Sequence, residues 1–366
     1  MHFRYGIEHE LAILRGRDVP AFADFTDLRF AELQAVVDAL PEDPADYPDL
    51  RVGDQGIKRK RWYVEGYERF DDAGELVRCD PKGLEVRTRI HDSVEAAVAA
   101  LGADVDLLAA ELRRRGLATC AIGFNPLRSE YVIDPPLGEW ERAHRIGSPE
   151  ERTAHLHMVT YGPDLNLSAD GLDVLDAARK LTYYSPWLVP LSFSSPFRDG
   201  APWGGLSART HMRTGARPAA LVFLGQDAPQ IPSDPSLTQP ARLPAEIGRL
   251  EFKAFDAIGD LALYGELFSL LTGLVLDDTL PGRATTPDAA AHRHVATVGL
   301  TDDAVHRATG ALLAAAERAL AGREPDLARL AALRERWARH ASAASTMLAA
   351  HAAGATVAEV VRGRQV

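Results

Sequence analysis

Four separate stretches of this chain carry charged or imidazole side chains at every second position, with apolar residues between them. They read Gly6-Ile7-Glu8-His9-Glu10-Leu11, Gly83-Leu84-Glu85-Val86-Arg87-Thr88, Thr153-Ala154-His155-Leu156-His157-Met158 and Arg249-Leu250-Glu251-Phe252-Lys253-Ala254-Phe255. In a strand, successive side chains point to opposite faces. Glu8 then shares a face with Glu10, Glu85 with Arg87, His155 with His157, and Glu251 with Arg249 and Lys253. Ile7, Leu11, Leu84, Val86, Leu156, Met158, Leu250 and Phe252 fall on the other side, as does His9, which is expected to be structural. Placed in one sheet, these strands predict one face on a core and one face that gathers opposed charges. That density of acid and base suits a divalent cation beside a polyphosphate.

The chain has 366 residues, 46% of them apolar, so it can bury a large core. A net charge of −11 argues against a nucleic-acid or anionic-membrane surface. The longest basic run, Lys58-Arg59-Lys60-Arg61, reads as a solvated strand edge. Cys79 and Cys120 are the two cysteines, far apart and without CxxC spacing, which fits a reducing cytosol and no structural zinc. Neither a signal peptide nor an apolar run of spanning length is read, so the expected location is cytoplasmic.

Along the chain, a buried strand is expected over 4–14 and a short helix near 29–40. A hairpin follows over 61–70 and 75–79, turning at Asp71-Asp72-Ala73-Gly74. The Glu85 strand covers 84–90. A long helix over about 93–115 has Ser93 as its N-cap and Gly116 at its stop. Further strands are expected at 117–124, 152–160, 219–224 and around Glu251, and helices at 172–184 and 258–277. The Gly/Ser/Pro-rich stretch 192–205 reads as an ordered loop, and 226–246 as a Pro-rich surface loop. The last 80 residues read as about three helices. The alternation of helices with hairpin-like pairs predicts an α+β fold, a mostly antiparallel sheet covered by helices on one side.

Glu8 and Glu10 are costly to bury unless paired or bound to metal. An isolated Glu-x-Glu is most often a strand face meeting water, but the recurrence of the pattern favours a site. Carboxylate-rich ligation suits Mg²⁺ or Mn²⁺ better than zinc. His155-x-His157 alone suggests zinc or iron, and His157 is equally readable as a packed or substrate-contacting imidazole. Arg87, Arg209, Arg213 and Lys253 suit phosphate or carboxylate oxygens. Lys253 with Glu251, and Arg87 with Glu85, are equally readable as structural ion pairs. There is no Walker A loop, no GxGxxG and no GxSxG.

The ordered set GIEHE, KGLEVRT, TAHLHM, SFSSPF…GGLSAR and RLEFKAFDA resembles the glutamate–cysteine ligase family 2 proteins, also called carboxylate–amine ligases. The resemblance runs over roughly residues 4–300. It implies the glutamine-synthetase-like catalytic fold, a curved antiparallel sheet forming a funnel with helices on its outer face. It implies ATP-dependent phosphorylation of a carboxylate, commonly the γ-carboxylate of glutamate, to an acyl phosphate that an amine then attacks. By the match, Glu8, Glu10, Glu85, His155 and Glu251 resemble metal ligands. Lys253 stands at the phosphate-contacting position, with Arg87 as its companion in catalysis and nucleotide binding. Arg209, Arg213, His157 and Ser195 fall to the substrates, and Asp80 is a further loop acid. The chain departs from the family pattern at His9, where an acid is common, and at Lys253, where Arg is usual. It also departs at Ser194-Ser195-Pro196, where Asn-Ser-Pro is usual, and over 291–300, where a basic stretch is degraded. These departures leave both substrates open.

The sequence therefore points to a catalytic unit over 1–300 and a C-terminal helical extension over 301–366 packed on it. The expected function is an ATP- and Mg²⁺-dependent carboxylate–amine ligase making a γ-glutamyl or related amide from small-molecule substrates. Nucleic acid and membrane are not expected partners; a homodimer through the C-terminal helices is left open. The alternatives are a phosphotransferase of the same fold, a metal-dependent hydrolase built on His155 and His157, and a non-catalytic binding protein.

Overall fold

The computed structural model of the protein describes residues 1–48, 50, 60–145 and 152–366. Its centre is a nine-stranded sheet built around β1, Phe3–Arg15. The other strands are β2 (Ala21–Ala23), β3 (Trp62–Phe70), β4 (Leu76–Arg87), β5 (Leu117–Cys120) and β6 (Pro163–Ala169). The pair β7 (Phe197–Arg198) and β8 (Ala201–Pro202) forms a separate two-stranded ribbon. The far edge is made by β9 (Ala220–Leu224), β10 (Thr238–Pro240) and β11 (Leu250–Phe252). The order is β10-β9-β11-β6-β1-β4-β3, antiparallel throughout except between β10 and β9.

β1 is long enough to serve two sets of neighbours. Glu8–Leu11 pair with β4, and Phe3–His9 pair with β6. The distal end, Ala12–Arg15, leaves that pairing and takes β5 and β2 instead. Its alternation is the one the sequence shows. Phe3, Tyr5, Ile7, His9 and Leu11 are buried, while Glu8 and Glu10 are half-buried on the opposite face.

The apolar face packs on helices. The long helix α2 (Val94–Arg114) covers β1, β4 and β5. Ser93 Oγ accepts the Ala96 N–H at 3.1 Å and Gly116 turns the chain out at φ +71°, so both expected ends of this helix are found. A second helix, Leu261–Leu276, lies under β1 and is almost wholly buried. From it the Tyr264 hydroxyl meets His9 Nδ1, Thr272 Oγ1 meets the Tyr5 hydroxyl at 3.3 Å, and the Phe268 ring sits edge-on to Tyr5. His9 is thus a core histidine, and burial pushes its imidazole down to about 4.

Several expectations change. Residues 152–160 do not form a strand: Ala154–His157 are a single helical turn, with His157 N–H on Thr153 O at 3.0 Å and Met158 N–H on Ala154 O at 3.0 Å. The sheet position beside β1 belongs to β6, which sequence reading missed. Leu165 and Leu167 of β6 point into the core, and Asp164 and Asn166 point the other way. The hairpin strand and the Glu85 strand are one continuous strand, β4. The C-terminal region holds five helices, not three: Ala289–Val298, Asp303–Ala319, Glu324–Ala338, Ala343–Ala352 and Val357–Arg362. The second and third of these pack on the buried helix 261–276, and the last residue returns to β5, where Val366 N–H meets Thr119 O at 3.2 Å. Of the basic run, Lys58 and Arg59 lie outside the described residues. Lys60 Nζ caps the helix Phe30–Ala39 at the Val37 and Leu40 carbonyls, and Arg61 pairs with Asp104 at 2.8 Å and Asp46 at 3.0 Å. Among the described residues no helix is long and apolar enough to cross a membrane.

Gly83 shows how closely β4 approaches β1. A Cβ at this position would lie 2.2 Å from the Leu11 carbonyl oxygen, a backbone atom that cannot swing aside. Gly83→Ala is therefore expected to destabilise the protein by about 2 kcal/mol or more. The measurement is the urea midpoint, which should fall while far-UV circular dichroism of the folded state stays close to wild type.

Candidate active site

Strand pairing lays the polar side chains out in rows. Glu8 stands opposite Arg87 on β4 and Asp164 on β6. Glu10 stands opposite Glu85, which in turn faces Tyr63 on β3. Glu251 stands opposite Asn166, and Asn166 opposite Gly6. These rows form the floor of a cavity of about 520 Å³. Glu8, Glu10, Glu85, Arg87, His157, Arg209, Arg213, Glu251 and Lys253 all line it, so nine of the sequence candidates converge.

His155 and Ser195 do not. His155 is exposed and absent from the cavity wall. Residues two apart on a helix lie about 200° apart, so the histidines that would share a face on a strand point opposite ways here. The His155/His157 pair behind the hydrolase alternative is therefore not formed. Ser195 is fully buried behind the site. Its Oγ donates to Asp256 Oδ2 at 2.6 Å, Ser207 Oγ donates to Asp256 Oδ1 at 2.8 Å, and Ser194 N–H donates to Asp256 Oδ2 at 3.0 Å. Ser207 Oγ also accepts the Thr210 N–H at 2.9 Å and so caps the short helix Ala208–Arg213. Ser195 holds the arginine-bearing helix and does not face the cavity. Asp80 is likewise off the wall, bound by the Tyr131 hydroxyl at 2.6 Å.

One end of the floor gathers Glu10, Glu65 and His157, whose ligand atoms lie within 4.8 Å of one another. His157 Nε2 is 3.0 Å from Glu65 Oε1. Glu65 was not picked out from sequence, although it continues the alternation of Tyr63 and Tyr67 in a recognised hairpin strand. Burial and the Lys82 ammonium lower the His157 pKa, keeping a ring lone pair available. Burial works against a charged Glu10, but Lys82 and His157 outweigh it and hold the carboxyl below its usual range. Glu85 has the opposite balance. Burial, then the carboxylates of Glu65, Glu8 and Glu10, push it well above the usual carboxylate range.

The other end centres on Lys253, whose ammonium bridges Asp164 and Glu251. Burial opposes the Lys253 charge, but Asp164, Glu251 and Glu8 outweigh it and hold the ammonium above its usual range. Arg249 reaches Glu8 at 3.3 Å and Glu251 at 3.2 Å, with its guanidinium 4.0 Å from the centre of the Phe223 ring. Asn166 Nδ2 donates to Glu8 at 3.4 Å, while its buried Oδ1 has no partner among the described residues.

A third wall is cationic. Arg209 and Arg213 lie four residues apart on one helix face, and Arg217 follows after another four. Among the described residues none of the three has a carboxylate partner. Arg209 donates to the Ala254 and Lys253 carbonyls at 3.0 Å each, Arg213 to the Pro218 carbonyl at 3.1 Å, and Arg217 to Thr153 Oγ1 at 3.1 Å. Burial, then repulsion from Arg209 and Arg217, drives the Arg213 pKa down. Oxygen-rich acids with one imidazole fit a hard divalent cation, and a guanidinium wall beside them fits an oxyanion.

The raised Glu85 pKa has a signed consequence. A carboxyl whose folded pKa lies above its unfolded value costs stability as pH rises from the unfolded value through the folded one. Glu85→Gln is therefore expected to raise the melting temperature of the ligand-free protein by a few degrees at pH 8. Near pH 4, where Glu85 is already protonated, the gain should vanish. Differential scanning calorimetry at the two pH values reads this directly, and an equal effect at both would contradict it.

The chain is similar to known proteins. The model of "Glutamate-cysteine ligase family 2 (GCS2)" matches residues 4–232. The glutamate–cysteine ligase EgtA of Mycolicibacterium smegmatis is 24% identical over 348 residues, covering 79% of this chain and 82% of its own. A putative glutamate–cysteine ligase 2-1 of Frankia casuarinae is 29% identical over 147 residues, covering 40% of this chain and 38% of its own. Among solved structures, the glutamate–cysteine ligase of Francisella tularensis superposes with a TM-score of 0.55 at 12% identity, covering 99% of this chain and 88% of that one. A bifunctional glutathione synthetase from Pasteurella multocida gives 0.59 at 12% identity, covering 99% of this chain and 51% of that one. The sheet and its helical cover are the fold of these glutamine-synthetase-like ligases. The chain belongs to glutamate–cysteine ligase family 2 and is an ATP-dependent ligase that forms amide bonds.

Proposed function

We propose that the protein phosphorylates the γ-carboxylate of glutamate with ATP and joins the resulting acyl phosphate to a small-molecule amine. The observation that carries this is the division of one cavity into an acid floor and a guanidinium wall that has no carboxylate partner among the described residues. The Francisella tularensis relative was solved with AMP, which supports a nucleotide here.

In the first step a carboxylate oxygen of the acid attacks the γ-phosphorus. The bond from that phosphorus to the ADP oxygen breaks, leaving ADP and an acyl phosphate. In the second step the amine nitrogen attacks the acyl carbon, the carbon–oxygen bond to phosphate breaks, and the nitrogen loses a proton. Glu8, Glu10, Glu65, Glu85, Glu251 and His157 would hold divalent metal, which when bound screens the triphosphate and the charge that develops on it. Lys253 and Arg87 take the phosphate side of the cavity. Arg209, Arg213 and Arg217 orient an anionic substrate group, with backbone carbonyls fixing the Arg209 and Arg213 guanidiniums and the Thr153 hydroxyl that of Arg217. No nucleophilic side chain is needed, because the protein's work is positioning and electrostatic screening.

The test is ADP release with L-glutamate and a panel of amines under Mg²⁺. Amine-dependent ADP release with an amide detected by mass spectrometry is the expected result. A stable phosphorylated acid without amide would move the protein to the phosphotransferases, and absence of ADP release with L-glutamate and every amine of the panel would remove glutamate activation. Glu251→Gln should lower kcat by about a hundredfold or more, since it removes a charge from both the floor and its Lys253 pairing.

A further inference from the structure

Two lysines sit inside the acid floor. Lys82 is fully buried, and its three N–H donors are all used: on Glu10 Oε1 at 2.7 Å, the His157 carbonyl at 3.0 Å and the Thr160 carbonyl at 2.9 Å. The other Glu10 oxygen accepts the Gly162 N–H at 2.8 Å. At the opposite end, the Lys253 ammonium lies between Asp164 and Glu251. Each end of the floor therefore already contains a fixed positive charge. Glu65 and His157 stand beside Glu10 at the Lys82 end, and Glu8 and Glu85 line the same cavity. Asn166, only 6% exposed, lines the same cavity, and its Oδ1 has no hydrogen-bond partner among the described residues.

We propose that Lys82 and Lys253 are built-in cations that weaken the floor's hold on free divalent ions, so that metal enters as its nucleotide complex instead of residing there beforehand. The nucleotide half of this statement rests on the ligase reading above. The physical basis is direct. A positive charge in hydrogen-bond contact with a ligand carboxylate repels an incoming cation far more strongly in a protein interior than in water. A polyphosphate reverses the balance by adding negative charge on the phosphate side of the cavity, where Arg87 also lies. Lys82 also ties three segments together, since its ammonium joins β1 to the 157–160 turn from β4. A purely structural role makes the opposite forecast, because losing the tie should loosen the site and weaken metal binding. The sign of the change separates the two.

The experiment measures Mn²⁺ binding by electron paramagnetic resonance of the free ion, at neutral pH and without nucleotide. It compares the wild type with Lys82→Gln and Lys253→Gln. The wild type is measured again with a non-hydrolysable ATP analogue, and the Mn²⁺ held by the analogue alone is measured without protein and subtracted. Circular dichroism and melting curves establish that each variant is folded. Wild type should bind Mn²⁺ weakly alone and about tenfold or more tightly with the analogue, and each folded variant should bind it about tenfold more tightly than wild type without nucleotide. Folded variants that bind Mn²⁺ as weakly as wild type, or more weakly, overturn the proposal. So does a wild type that binds tightly alone and gains nothing from the analogue. If Lys82→Gln does not fold, Lys253→Gln and the wild-type comparison decide. The nucleotide-free arm does not depend on amide formation, so it can fail or succeed separately from the ligase reading.

Discussion

Backbone pairing on both edges of β1 is the constraint from which the cavity follows. With β4 on one side and β6 on the other, the directions of Glu8 and Glu10 are set by the ladder and not by side-chain choice. The same pairing commits Ile7, His9 and Leu11 to the core, where Tyr264 closes over His9. A register slip by one residue would exchange the two faces, burying both acids among leucines. The apolar contacts beneath β1 therefore hold the acids above it in place, and the cost of crowding those acids is met by the stability of the core.

That crowding explains the electrostatics of the floor. The carboxylates of Glu8, Glu10, Glu65, Glu85, Asp164 and Glu251 are among those lining a single cavity, and the described residues give them uneven support. Glu10 and Glu251 have ammonium partners, whereas Glu85 is pushed toward its neutral form by its neighbours. The arginine wall has the complementary imbalance, with guanidiniums held by carbonyl and hydroxyl oxygens and no carboxylate ion-paired to them among the described residues. Two unmatched charge distributions facing one space are what an ATP-dependent ligase requires, because phosphoryl transfer is governed by placement and charge screening.

Much of this was legible from residue order. The alternation in GIEHE, GLEVR and RLEFK named most of the floor, and the Ser93 cap and Gly116 stop bounded the long helix. The histidine segment was misread because a six-residue run such as Thr153–Met158 satisfies a strand period and a single helical turn alike. The sheet position it was expected to fill went to β6, whose polar face of Asp164 and Asn166 carried no repeated acid-x-acid signal. Glu65 lay in a recognised hairpin strand, but its value came from its nearness to Glu10 and His157, which are far away in sequence. Ser195 looked like a substrate contact and is instead part of the Asp256 frame that supports the Arg209 helix.

The sequence by itself determined the two-faced character of each strand, the α+β class and the family, because side-chain alternation is stereochemistry local to a few residues. Only the tertiary structure decided which strands became neighbours, which histidine met the acids, and which lysines entered their midst. Those outcomes depend on pairing between segments far apart in the chain, such as Glu8 with Arg249, 241 residues away. They are settled by how the whole core packs, which no local pattern encodes.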